Sequence, residues 1–159
     1  MKNVGPFYEV PADIKITGGY FDGLVTGNQF AEILHQIEKV KKRFNKEKIF
    51  FGPRLEFGYA LTQTRSPFGL PLWWHPGTSY AFISHDKILS NFIENEFDVL
   101  IFARSDRTRM PIGLISYIQL KYIKLDGFKE IDVYLKYNYA NSTNDDSRGS
   151  LESTSTTED

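Results

Sequence analysis

The run Phe97-Asp98-Val99-Leu100-Ile101-Phe102-Ala103 constrains the fold more than any other segment of this chain. All but one of its residues are apolar, and most are β-branched or aromatic, the residue types favoured in strands. A strand that lacks a polar face must be buried on both sides. We therefore expect this strand in the middle of a sheet.

A long amphipathic helix is predicted to follow Thr26. The run Thr26-Gly27-Asn28-Gln29 matches a capping box, and Val25 and Phe30 stand at the positions of a hydrophobic staple. The next residues carry one apolar stripe with a 3.6-residue period, which indicates a helix packed on a sheet. The stripe consists of Phe30, Ile33, Leu34, Ile37, Val40 and Phe44.

The remaining patterns predict mainly short strands and one short helix. Asp86 is expected to cap the helix, and Asp126-Gly127 is a strong hairpin signal. The predicted strands are residues 13–17 and 20–25 around a Gly18-Gly19 turn, then 49–64, 79–84, 112–125 and 130–139. Together these elements predict a single α+β domain. Its mostly antiparallel sheet packs against one long N-terminal helix and one short helix.

The composition divides the 159 residues into a domain and a tail. Residues 141–159 hold five acidic residues against Arg148, which leaves residues 1–140 with a net charge of +3. Because the tail has almost nothing to bury, it is predicted to be disordered, acidic and rich in Ser and Thr. Residues 1–140 are predicted to form the globular domain.

Cysteine is absent and histidine occurs only three times, so disulfides are excluded and a conventional zinc site would need carboxylates. No metal or other cofactor is predicted. Met1 to Val10 do not resemble a secretion signal, and no apolar run reaches the length of a membrane span. We expect a soluble, intracellular, cytoplasmic protein.

The loop from Ser66 to Ser79 is the leading candidate for a binding site. It holds both tryptophans and three of the seven prolines, so it is expected to be irregular, rigid and packed against something. Since adjacent residues on an extended chain point to opposite sides, one tryptophan is expected to face inward and the other outward. The predicted partner-binding residues are Phe68, Leu70, Leu72, Trp73, Trp74, His75, Arg104, Arg107 and Arg109.

These residues predict a non-catalytic interaction or assembly protein that contacts a protein partner or a second copy of itself. A second hypothesis is binding to nucleic acid or to an anionic membrane surface through basic residues near the end of the long helix. The predicted anion-binding residues are Lys39, Lys41, Lys42, Arg43 and Lys46. A third is a small hydrolase that uses His75 with His85 or Asp86 as an acid–base pair.

The order of strands around one early helix adds a resemblance to a known family. Together with Pro111-Ile112-Gly113-Leu114 and the strand predicted after it, this order is similar to that of the matrix proteins of negative-strand RNA viruses. The resemblance covers the middle of the chain. It implies a viral assembly protein that self-associates and uses basic patches.

Overall fold

A four-stranded mixed sheet organises the protein. The computed structural model describes residues 11–71, 74–104 and 110–137, so the predicted tail lies outside the described residues. In chain order the elements are β1 (Ile14–Lys15), β2 (Val25–Thr26), α1 (Asn28–Arg43), β3 (Ile49–Phe51), α2 (Phe57–Leu61), a 3₁₀ turn (Phe82–Ser84), α3 (His85–Glu94), β4 (Val99–Ala103), α4 (Ile112–Lys121), β5 (Tyr122–Leu125) and β6 (Ile131–Lys136).

Strand β4 lies inside the sheet, as its apolar sequence predicts. The strand order is β3-β4-β6-β5, with β4 parallel to β3 and antiparallel to β6, and with β5 antiparallel to β6. Strands β1 and β2 form a separate antiparallel pair ahead of α1. Gly18 and Gly19 have positive φ angles of 79° and 70°, so the chain turns there as predicted, but the strand predicted over residues 20–25 is wrong before Val25 because residues 20–24 belong to the connection. The predicted α+β class is confirmed.

Each face of the sheet supports its own apolar core. On one face, α1 and α2 pack against alternate residues of the strands. On the other face, α3, α4 and part of the proline-rich loop (Ser66 to Ser79) do so. The first core includes Ile37, Val40, Phe51, Leu55, Tyr59, Val99, Ile101 and Val133. The second includes Phe50, Trp74, Ile88, Phe92, Phe97, Leu100, Leu114, Ile118 and Tyr122.

The apolar stripe of α1 is confirmed, but its predicted capping box is wrong. Gly27 precedes the first helical turn, and no side chain caps it. The Gln29 side chain instead donates a hydrogen bond from Nε2 to Glu130 Oε2 at 2.9 Å. Because Glu130 adjoins β6, Gln29 joins the helix to the sheet rather than closing its own first turn.

The long strand predicted over residues 49–64 is wrong beyond Phe51. The chain leaves the sheet at Gly52, Arg54 takes a left-handed conformation with φ 63°, and α2 follows. Tyr59 lies in the core and its hydroxyl accepts a hydrogen bond from the Phe51 amide at 3.1 Å. The apolar residues at 55, 57, 59 and 61 therefore serve a short helix that folds back on β3.

The strand predicted over residues 112–125 is a helix followed by a short strand. Pro111 fixes the helix start, and its carbonyl accepts hydrogen bonds from the amides of Leu114 and Ile115. The hairpin signal is confirmed, since β5 and β6 are antiparallel and Gly127 has φ 97°. The strand order behind the resemblance to viral matrix proteins therefore fails after Pro111.

The short helix α3 begins two residues earlier than its predicted cap at Asp86 requires. Ser84 occupies the cap position and Asp86 lies in the first turn, where a carboxylate still interacts favourably with the helix dipole. Ile88 and Phe92 are buried against the sheet, whereas Ile93 is 42% exposed. The helix thus buries a narrow stripe against the sheet.

Candidate interaction surface

The proline-rich loop is fastened to α3 by two asparagine side chains. Asn91 Nδ2 donates a hydrogen bond to the Gly69 carbonyl at 2.6 Å, and Asn95 Nδ2 donates to the Phe68 carbonyl at 3.3 Å. Because these asparagines are four residues apart, their side chains lie on one side of the helix end. Two successive carbonyls of the loop are therefore held in place.

Glycine is required at position 69 for two reasons. Its φ angle is 79°, which other residues rarely adopt, and a Cβ atom there would lie 2.7 Å from Asn91 Nδ2. A side chain at this position would therefore both strain the turn and displace the asparagine that holds it. The path of the loop around Phe68 is specified by these contacts.

Phe68 is the most exposed large apolar residue of the loop's described part. Its side chain is 96% exposed although its own carbonyl is hydrogen-bonded to α3. Leu70, two residues later, is half-buried and packs against the second core. The loop thus inserts one side chain into the protein and presents an aromatic ring to the solvent from an ordered turn.

Trp74 lies in the core rather than on the surface. It is 2% exposed, and its ring packs edge-to-face against Phe50 and Tyr80 with centroid distances of 6.0 and 6.3 Å. This position covers one end of the second core and removes the ring from a partner's reach. Leu72 and Trp73, two other predicted contact residues, lie outside the described residues.

His75 belongs to a tight turn, and His85 and Asp86 begin α3. The amides of Thr78 and Ser79 donate hydrogen bonds to the His75 carbonyl, while its side chain is exposed. The His85 ring lies 5.7 Å from the Tyr80 ring, centroid to centroid. These contacts are typical of a turn and of the start of a helix. The hypothesis that His75 acts as an acid–base pair with His85 or Asp86 in a hydrolase stays a prediction.

Arg104 is placed at the other end of β4 from the Phe68 turn. Arg104 directly follows Ala103, the last residue of β4, whereas Asn95, which holds Phe68, lies four positions before Val99, the first residue of the strand. Five extended residues separate these ends by roughly 17 Å. Arg104 Nε donates to Asp132 Oδ1 at 3.0 Å. Arg107 and Arg109 lie outside the described residues, so the structure joins no predicted arginine to the aromatic loop.

The basic residues of α1 form a surface cluster around its C-terminal end. Two of them also have local structural contacts: Lys41 Nζ donates to the Asn45 carbonyl at 3.1 Å, and the Arg43 guanidinium lies 5.1 Å from the Phe44 ring centroid. Positive side chains in a last helical turn also stabilise the helix dipole. Lys39, Lys42 and Lys46 are exposed.

The residues that make the loop rigid are not evident from the sequence alone. Asn91 and Asn95 lie outside the apolar positions of the short helix. In the sequence they look like ordinary polar surface residues. A pair of asparagines at i and i+4 near a helix end is the signal that could have indicated a fastened loop. Its target, 22 residues away for Asn91, is not readable from local sequence.

Comparison with known proteins found no similar protein. No family model, curated protein or solved structure matches the chain. Within the described ranges, no helix is both long and apolar enough to cross a membrane. The same residues contain no group of three or more His, Asp or Glu side chains arranged to hold a metal ion.

Proposed function

We propose that this protein is a non-catalytic interaction or assembly protein that contacts its partner through Phe68. The observation that supports this proposal is an aromatic side chain that is 96% exposed on a turn held by Asn91 and Asn95. Aromatic residues supply much of the binding energy in protein interfaces. Because the backbone is already ordered, docking at this position would lose little conformational entropy.

Further apolar residues are exposed in the same helical layer, and Ile83 lies at the opposite end of α3 from the Phe68 turn. The 3₁₀ turn before α3 exposes Ile83 by 93%, and Ile112 at the start of α4 is 82% exposed. Helices α3 and α4 pack against each other, and Gly113 faces Leu89 at this contact. The helical layer that holds the Phe68 turn thus exposes further apolar side chains to a partner.

A second copy of the chain is the partner to test first. We expect the wild-type protein to associate with increasing concentration, and Phe68→Ser to shift it toward the monomer because the ring no longer contributes buried area. Tyr20→Ser is the matched control, since Tyr20 is an exposed aromatic residue in the β1–β2 connection. Size-exclusion chromatography with light scattering measures the mass of each variant.

Two outcomes would count against this contact. If the wild-type chain stays monomeric at every concentration, self-association is wrong. If Phe68→Ser associates as the wild type does, Phe68 is not the contact. Asn95→Ala tests the anchor without removing the ring, because it keeps Phe68 but releases the Phe68 carbonyl. We expect this variant to associate more weakly than the wild type and more strongly than Phe68→Ser.

Exposed basic residues in the last turns of α1 and just after it favour a second candidate function. Lys39, Lys42 and Lys46 are exposed around one helix end, as a surface for phosphate groups requires. Such a surface would bind nucleic acid or an anionic membrane without reading sequence. Binding of that kind weakens steeply as salt is added, whereas an apolar contact through Phe68 would not.

A further inference from the structure

An apolar groove lies on the sheet beside α4, at the end where β4 finishes. Its volume is about 210 Å³, and the rings of Phe102 and Tyr134 pack edge-to-face within it at 5.8 Å between centroids. Ile115 and Ile118 of α4 line it from the helix, and Pro53 also borders it. Since a cavity of about 150 Å³ holds one benzene ring, this groove has room for one large side chain.

Cationic side chains lie beside the groove on the same face of the sheet. Residues directly opposite each other on paired strands share a face, so Asp132 lies beside Phe102, and Lys124 beside Tyr134. Arg104 Nε and Lys124 Nζ each lie 3.0 Å from the same oxygen of Asp132. Two positive charges share one carboxylate, which leaves a net positive charge next to an apolar pocket.

This combination fits an acidic peptide segment that carries one aliphatic residue. The apolar residue would fill the groove, and the neighbouring carboxylates would lie near Arg104 and Lys124, whose side chains are 48% and 45% exposed. A helix or a folded domain would need a larger apolar surface than one side chain provides. The groove therefore matches an extended segment with a single anchor.

The chain itself contains such a segment after the sheet ends. Residues 141–159 carry five acidic residues, and Leu151, followed by Glu152, is the one large apolar residue among them. Leu151 stands fourteen positions after Tyr137, and fourteen extended steps can span up to about 46 Å. The return from the end of β6 to Asp132 is only about 13 Å along the strand, so the segment reaches the groove easily.

We propose that residues 141–159 dock on this face of the same molecule, with Leu151 in the groove and its acidic neighbours beside Arg104 and Lys124. This contact is independent of Phe68 and concerns the opposite end of β4.

The absence of cysteine from the sequence allows a direct test in the full chain. Ser150→Cys supplies one attachment site for a nitroxide spin label next to Leu151. In amide NMR spectra we expect the label to broaden the signals of Phe102, Ile115 and Tyr134 selectively. Broadening that is absent from these residues, or that appears instead around Lys42 on α1, would overturn the proposal.

Variants of the labelled chain distinguish docking through the Leu151 side chain from charge attraction alone. Leu151→Asp should abolish the selective broadening, whereas Thr154→Asp, which adds the same charge and keeps the leucine, should retain it. Gln119→Glu, which adds a negative charge at an exposed residue lining the groove, should reduce it. Unchanged broadening in Leu151→Asp would contradict the anchor.

A mixed sample identifies the molecule that supplies the segment. Isotope-labelled protein without the nitroxide is combined with spin-labelled protein of natural isotope content. We expect no selective broadening in this sample because the segment binds its own molecule. Broadening of the groove signals there would show that a second copy supplies the segment, and the proposed intramolecular contact would be wrong.

Discussion

Gly52 ends strand β3 because a larger residue does not fit where the chain leaves the sheet. A Cβ atom at this position would lie 2.3 Å from Phe102 Cδ1 and 3.1 Å from the Ile101 carbonyl oxygen. The Gly52 amide also donates a hydrogen bond to that carbonyl at 2.7 Å, which holds the backbone close to β4. The edge strand can therefore turn toward α2 only with glycine here.

Gly52→Ala is expected to lower the free energy of unfolding by about 1–3 kcal/mol, because the added methyl group forces Phe102 or the backbone to move. Gly113→Ala is the matched control. A Cβ atom at Gly113 would meet only Leu89 Cδ2 at 3.4 Å, and alanine gains up to about 1 kcal/mol in a helix. Urea unfolding measures both variants, and equal stabilities for the two would contradict this account of Gly52.

In the proline-rich loop, the local sequence predicts the burial of one aromatic side chain but not the exposure of another. The composition predicts that aromatic residues of the loop pack inside, and Trp74 does so. The composition does not indicate that Phe68 is held outside, because that depends on Asn91 and Asn95 of a later helix. Local sequence does not identify the distant partner in such a contact.

Helix α1 is joined to the β5–β6 hairpin by a buried polar residue. Gln36 is 4% exposed, and its Oε1 accepts hydrogen bonds from the amides of Lys129 and Glu130 at 3.1 Å each. Its Nε2 donates to Glu32 Oε1 at 2.6 Å. The sequence places Gln36 off the apolar stripe, and only the fold shows that it fastens two distant elements.

Gln36→Ala is expected to lower the free energy of unfolding by about 1–3 kcal/mol, because two part-buried amides lose their acceptor. Amide hydrogen exchange should also quicken at Lys129 and Glu130, where the hairpin loosens. His35→Ala, an exposed neighbour on the same helix, is the control and should change neither measurement. A Gln36→Ala variant with unchanged exchange at these two amides would show that the contact does not hold the hairpin.

Two elements were predicted as strands and are helices for the same physical reason. Residues 55–61 alternate large apolar residues with small or polar ones, a period of 2 that is typical of a strand, whereas residues 112–121 are rich in apolar residues without a clean period. Such a segment can form either a helix or a strand. It adopts the conformation that places its apolar side chains against the core. Gly58 allows α2 to approach the Phe51 ring, where a Cβ atom would lie 2.3 Å from Cδ1.

On the scale of the whole molecule, each core contains a tyrosine whose hydroxyl is tied to the backbone. Tyr59 accepts from the Phe51 amide on one side of the sheet, and Tyr122 donates to the Phe97 carbonyl at 2.8 Å on the other. Burial raises the pKa of both hydroxyls well above the ordinary value. The hydrogen bond from the Phe51 amide partly offsets the effect of burial on the pKa of Tyr59, and Glu56 raises that pKa. Tyr117 and Asp98 raise the pKa of Tyr122.

Stability is therefore expected to fall in alkali. Above about pH 10 the unfolded chain releases these protons while the folded chain retains them, so the free energy of unfolding falls by up to ~1.36 kcal/mol per pH unit for each tyrosine. Below that pH this contribution is fully present. Urea unfolding between about pH 9 and pH 12 measures the slope.

Tyr122→Phe should make this alkaline slope shallower, whatever its effect on stability near neutral pH. Tyr20→Phe is the control, because Tyr20 is 61% exposed, and it should leave the slope as in the wild type. An unchanged slope in Tyr122→Phe would mean that the buried hydroxyl does not govern the loss of stability.

The sequence by itself determined the α+β class, the apolar stripe of α1, the interior position of β4 and the hairpin at Asp126-Gly127. These features follow from local periodicity and turn chemistry, which neighbouring residues specify. The tertiary structure decided which apolar segments became helices, that Trp74 lies inside, and that Phe68 is held outside. Those outcomes depend on contacts between residues far apart in the chain, and such contacts form only when the sheet brings them together.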